Sequence, residues 1–171
     1  MAHTRVPSRG HEINFMEPSK DNDFLASHIG LLLRCYHQLT GVHLIAPEKS
    51  QIELARKIYH APFVLLSHGT GPDPILTYGN LTAQRLFSMP WETLTKTPSR
   101  LTAETPNQKK RQELLDEVTQ QGFINDYSGT RISACGKRFQ INQATVWNLT
   151  DESGALVGQA AAFAEWSDNL S

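Results

Sequence analysis

Residues 123–166 read FINDYSGTRISACGKRFQINQATVWNLTDESGALVGQAAAFAEW, three strand-like runs divided by two turns. The first run carries Ile124, Tyr127 and Ile132. Ala134, Cys135 and Gly136 turn the chain into Arg138 to Asn148. There Phe139, Ile141 and Trp147 lie two or six apart, so a regular strand puts them on one side. Asp151, Glu152, Ser153 and Gly154 make the second turn, and Leu156 to Trp166 is the third strand. Strands joined this closely form an antiparallel meander.

Upstream, Thr105, Pro106, Asn107 and Gln108 fit a capping box with proline in the first turn. The helix they open has Leu114, Leu115 and Val118 on one side. Lys109, Lys110, Arg111, Glu113 and Glu117 are on the other, and Gly122 closes it. Pro90, Trp91 and Leu94 read as one helical turn. Asn80 is an N-cap for a short helix with Ala83, Leu86 and Phe87 inward. Phe63 to Ser67 and Ile75 to Tyr78 are short strands around a Gly- and Pro-rich turn. Before Pro62 the chain is helical. Leu25, Ile29, Leu32, Tyr36 and Leu39 recur at spacings of three and four, with Asp21 to Asp23 as caps and Gly41 as C-cap. A second helix from Pro47 carries Ile52, Ala55, Ile58 and Tyr59. The order predicts an α+β fold: two N-terminal helices, then a five-stranded antiparallel sheet with short helices on one face. The expected division is a flexible tail over 1–20, a helical extension over 21–60 and a domain over 61–171.

The 171 residues are 39% hydrophobic and 19% charged, which suits one soluble globular domain with an extension. Lys+Arg total 16 and Asp+Glu 17, a net charge of -1. Such a balance gives no bulk attraction to nucleic acid or anionic lipid, and direct nucleic-acid binding is not expected. Cys35 and Cys135 are far apart and have no metal-ligand spacing. No apolar run approaches the roughly 18 residues of a membrane span, so no membrane association is expected. Met1 to Lys20 lacks the apolar core of a secretory signal, and a cytoplasmic location is expected.

Several motifs occur together. Phe24-Leu25-Ala26-Ser27-His28, Leu39-Thr40-Gly41, Ala61-Pro62-Phe63 and Ser67-His68-Gly69-Thr70 are followed by Asp73-Pro74-Ile75-Leu76 and Tyr78-Gly79-Asn80. Leu86-Phe87, Trp91, Pro98-Ser99-Arg100 and Tyr127 to Ser133 come next. Arg138-Phe139, Val146 to Leu149 and Gly158 to Ala161 complete the set. In this order, from about Asp21 to Trp166, they resemble the MEKHLA domain, a PAS-related family. That family occurs as small free-standing bacterial proteins and as the last domain of plant homeodomain-leucine zipper transcription factors. This chain resembles the free-standing kind. The resemblance implies a PAS-like regulatory domain and brings no known reaction or ligand.

Ser67 and His68 are adjacent, and neighbours on a strand point to opposite faces, so they do not pair as nucleophile and base. Gly69-Thr70-Gly71 lacks the lysine and helix of a phosphate loop. The seven histidines show no i, i+4 metal pair, and the helix after Thr105 has none of the histidines that haem-binding PAS relatives use. Light-sensing PAS relatives carry a reactive cysteine after the short helices; Thr97 to Glu104 has none. Asn125, Tyr127, Arg131, Asn148 and Gln159 are interspersed among apolar strand positions, facing either solvent or a ligand. Arg100 and Glu104 are a candidate local ion pair. The expectation is a non-catalytic sensory module taking a flat, partly polar small molecule or a protein partner. The expected ligand-binding residues are Phe87, Trp91, Leu94, Tyr127, Phe139, Trp147 and Gln159, with Gln159 as the orienting group; the cofactor is unassigned. The alternatives are a small enzyme using the same sheet and a transcription-associated dimer module. A homodimer through the first helix is expected, unless its apolar stripe covers the open sheet.

Overall fold

The structure is a computed structural model describing residues 15–168. Most of the expected tail, residues 1–14, and the final residues 169–171 lie outside the described residues. A 3-10 turn, Lys20–Leu25, leads into α1 (Ala26–Thr40), followed by α2 (Gln51–Tyr59). Next come β1 (Val64–His68), β2 (Leu76–Gly79), α3 (Leu81–Leu86), α4 (Trp91–Leu94), a 3-10 turn at Ser99–Thr102 and α5 (Thr105–Gln121). The meander is β3 (Phe123–Ile132), β4 (Arg138–Thr150) and a third strand broken into β5 (Leu156–Phe163) and β6 (Glu165–Asp168).

The sheet order is β2-β1-β5-β4-β3, every pairing antiparallel, with β6 continuing along β4. The two early strands therefore join the late meander as expected. Gly41 ends α1 in the left-handed conformation, and Gly122 ends α5 at a positive φ of 95°. Asn80 caps α3 through Ala83. The first cap differs from expectation. Ser19, with Asn22, caps the 3-10 turn, and Asp23, Phe24 and Leu25 are all left-handed before α1 begins. That conformation is unfavourable for non-glycine residues, but it drives Phe24 and Leu25 into the core beside Tyr59.

The sheet divides the molecule into two layers. On one face α1 and α2 place Ile29, Leu32 and Ile58 against Leu65, Trp147, Leu149 and Ala160. The apolar stripe of α1 thus has a partner within the chain. On the other face Phe87, Met89 and Leu94 pack on Val64, Phe139, Ile141 and Phe163, and α5 lays Leu114 and Val118 over Val146.

Trp147 corrects the regular-strand reading. Between Ile141 and Ala144, β4 uses three residue steps where β3 uses two, Gly129 to Tyr127. This β-bulge includes Gln143, whose φ is 52°. One extra residue reverses the alternation. Phe139 and Ile141 before it share a face with Ala144 and Val146 after it, while Trp147 turns to the opposite face and donates Nε1–H to the Leu32 carbonyl at 3.1 Å. A compensating bulge in β3 includes Asp126, at φ 56°.

Candidate functional site

On the α5 face the sheet and helices form a small, partly open cavity of about 70 Å³. Its walls include Leu66, Phe87, Leu114, Ile141 and Phe163, and its polar groups converge from four elements. Arg111 comes from α5, Tyr127 and Arg131 from β3, His68 from β1 and Gln159 from β5.

The β3 groups form a unit. Arg131 donates Nη2–H to the Tyr127 hydroxyl at 3.1 Å and Nη1–H to the Thr130 carbonyl at 2.8 Å. Its guanidinium carbon lies 5.5 Å from the Tyr127 ring centre, within cation–π range. Residues 127, 129 and 131 share a strand face, and Gly129 makes the unit possible. A Cβ there would stand 2.3 Å from the Tyr127 hydroxyl oxygen.

Arg111 and Arg131 are each only 8% exposed. Among the described residues, the ion pairs are Arg56–Glu53, Lys57–Glu48, Arg100–Asp73, Lys137–Asp168 and Arg138–Glu104. Neither cavity arginine has a carboxylate, and Arg111 makes no side-chain hydrogen bond within that set. Burial pushes the Arg111 pKa down to about 10, and the neighbouring Arg131 charge pushes the same way.

His68 donates Nδ1–H to the Gly69 carbonyl at 2.8 Å, because a carbonyl only accepts. Its other nitrogen, Nε2, is then an acceptor, and it is buried without a partner. Burial holds this imidazole down to about 4, and Arg111 adds to the effect. Gln159 spends its amide nitrogen on α5 and β4, donating to the Leu115 carbonyl, Thr119 Oγ1 and Asn148 Oδ1 at 3.1–3.2 Å.

Of the seven expected residues, Phe87, Tyr127 and Gln159 line the cavity. Phe139 stands behind Phe87 in an edge-on contact at 5.2 Å, and Leu94 belongs to the same core. Trp91 packs against Tyr78 and donates to the Phe15 carbonyl, and Trp147 lies across the sheet. The sequence pattern puts Arg111 on the polar side of its helix, whereas the structure buries it. Its spacing of three, four and seven from Leu114, Leu115 and Val118 was the signal that it belongs to the buried stripe. Arg100 pairs with Asp73 and Glu104 with Arg138, so the local pair expected between them is not formed.

Ser67 does meet a histidine, but it is His28 of α1, at 3.0 Å. Ser67 is 1% exposed and also bonded to Thr77, and His28 has no acidic partner among the described residues. The contact joins α1 to β1 and β2 and does not present a nucleophile. A larger depression of about 630 Å³ beside His28 is bordered by exposed Thr70, Asp73 and Lys96 and is a surface groove. Among the described residues, no three His, Cys, Asp or Glu side chains gather as metal ligands.

The MEKHLA domain model matches residues 26–168. The chain belongs to the MEKHLA domain family. No curated protein matches it. The fold of this MEKHLA domain is that of PAS domains. It resembles the PAS domain of a protein from Colwellia psychrerythraea at TM-score 0.56 and 14% identity, covering 68% of this chain and 94% of that one. An RNA-binding Light-Oxygen-Voltage receptor is similar at TM-score 0.58 and 14% identity, over 74% of this chain and 37% of that one. A Light-Oxygen-Voltage domain studied with a flavin analogue gives TM-score 0.54 at 13% identity, over 68% and 84%. The MEKHLA chain thus spans little more than a third of the RNA-binding receptor. No helix among the described residues is long and apolar enough to cross a membrane.

Proposed function

We propose that this MEKHLA domain is a sensory module without catalysis of its own, in which the α5-face cavity binds a small molecule and α5 transmits its occupancy. The supporting observation is the convergence of two buried arginines without carboxylates and the unpartnered His68 Nε2 on one otherwise apolar cavity, the usual composition of a ligand site. A ligand that bonds Arg111 from α5 and Arg131 from the sheet changes how the helix sits on the strands. The flavin of the Light-Oxygen-Voltage study needs a site of several hundred Å³, and the cavity here is about 70 Å³. The ligand is therefore smaller than a flavin.

The division into a tail, a helical extension over 21–60 and a domain over 61–171 belongs to this reading, as does a cytoplasmic location. A homodimer would have to use the outward face of α1, and a concentration-independent monomer mass by light scattering removes it. The cavity reading is tested by native against denatured mass of the purified full chain, with a thermal-shift screen of small metabolites. A retained molecule or a ligand-dependent rise in melting temperature is expected. Neither, in wild type, overturns the reading.

A further inference from the structure

Two guanidinium groups share one small cavity and no carboxylate neutralises them. Arg111 and Arg131 both line it, each is more than nine-tenths buried, and the five ion pairs of the described residues involve other arginines and lysines. The two carboxylates that border an adjoining depression, Asp73 and Asp116, have other partners. Asp73 holds Arg100, and Asp116 accepts from Gln112. Buried charges are normally paired, because desolvation of an unpaired ion is expensive. A guanidinium fork fits a carboxylate best of the common anions, through two parallel hydrogen bonds. Tyr127 adds a third donor, since its oxygen accepts from Arg131 and its own hydroxyl proton has no acceptor among the described residues.

The ligand must also supply a donor. His68 Nε2 is a buried acceptor without a partner, on the strand facing Arg111, and both residues border the cavity and the outer depression that adjoins it. A second carboxylate oxygen would meet the Nε2 lone pair unfavourably, whereas a hydroxyl would satisfy it. Size narrows the class further. A cavity of roughly 150 Å³ takes benzene, six heavy atoms, so about 70 Å³ holds about three, and a molecule of five reaches between His68 and Arg111 into the adjoining depression.

Resting on the cavity reading above, we infer that the site takes a small hydroxycarboxylate of glycolate size. Its carboxylate lies against Arg111, Arg131 and Tyr127, and its hydroxyl donates to His68 Nε2. The apolar walls contact its carbon atoms.

Three near-isosteric probes test this on the full chain by calorimetry and thermal shift. Glycolate carries both groups, propionate replaces the hydroxyl with methyl, and glycolamide replaces the carboxylate with a neutral amide. Glycolate is expected to bind at least about 10-fold more tightly than either, since each loses a hydrogen-bonded contact, one of them charged. Arg111→Met should abolish the glycolate response while leaving the unliganded melting temperature unchanged or higher, because it removes an unpaired buried charge. His68→Phe should erase the preference for glycolate over propionate. Equal binding of glycolamide, equal binding of propionate by wild type, or an undiminished glycolate response in Arg111→Met overturns the inference. If none of the three binds but native mass spectrometry finds another retained molecule, this assignment fails and the sensory reading stands. If none binds and nothing is retained, both fail.

Discussion

Asn80 shows how one side chain can hold three elements. It is fully buried and all of its amide is used. Oδ1 accepts from Leu65 N in β1 and Ala83 N in α3, and Nδ2 donates to the Ile58 and Phe63 carbonyls. Asn80→Ala strands two amide protons and the Phe63 carbonyl at once, while the Ile58 carbonyl keeps the Ala61 N–H. A loss of about 2–4 kcal/mol is expected, given the usual 1–3 kcal/mol for a single buried unsatisfied group. Urea unfolding measures it, and a change under 1 kcal/mol would contradict the assignment. Gly129 is the second such residue. Gly129→Val must displace the Tyr127 ring, and overpacking of this kind costs about 1–3 kcal/mol. In a Tyr127→Ala background the same substitution should cost much less, a coupling that a double-mutant cycle reads directly.

At the scale of elements, the two sides of the sheet have separate work. Trp147 anchors α1 from the face opposite the cavity. Trp147→Phe should lower stability by about 1–2 kcal/mol through the lost bond to Leu32 and leave any small-molecule affinity unchanged. Altered affinity at unchanged stability would show that the faces are wrongly assigned. The order of helices and strands was legible because it rests on local signals: the α1 stripe, Gly41, Gly122, and the Asn80 cap. What was not legible depends on non-local fit. Nothing in Asn142-Gln143 announces an extra residue, yet it reverses which face Trp147 takes. Arg100 and Glu104 are neighbours in sequence, but Asp73 lies 27 residues before one and Arg138 34 residues after the other. Only the folded sheet brings those partners together. Arg111 was legible from its spacing, and its charge masked it.

For the whole molecule, the two histidines joined to β1 set an acid limit. Burial lowers His28 from 6.5 to about 4, and His68 likewise. Both stay neutral in the folded chain while the unfolded chain protonates them below about 6.5. The unfolded state thus binds more protons across this window, and stability rises with pH through it. The contribution is complete above about pH 6.5 and lost as pH falls toward 4, up to about 3 kcal/mol per histidine. Urea midpoints near pH 7 and pH 5 should differ accordingly, and His28→Gln should reduce the difference by roughly half; an equal difference in both proteins would contradict this origin. The uneven attachment of the two long helices has a consequence in time. α1 buries Ile29, Leu32 and Cys35 and packs Leu31, Leu33, Tyr36 and Leu39 against the same core, whereas α5 buries Arg111, Leu114 and Val118 and packs Leu115 beside them. Lifting α5 also returns an arginine to water, so it detaches more cheaply than α1. On the binding reading proposed above, a molecule entering past α5 is held up by that opening. Its association rate should level off with concentration in stopped-flow mixing, at a ceiling set by the helix and not by diffusion.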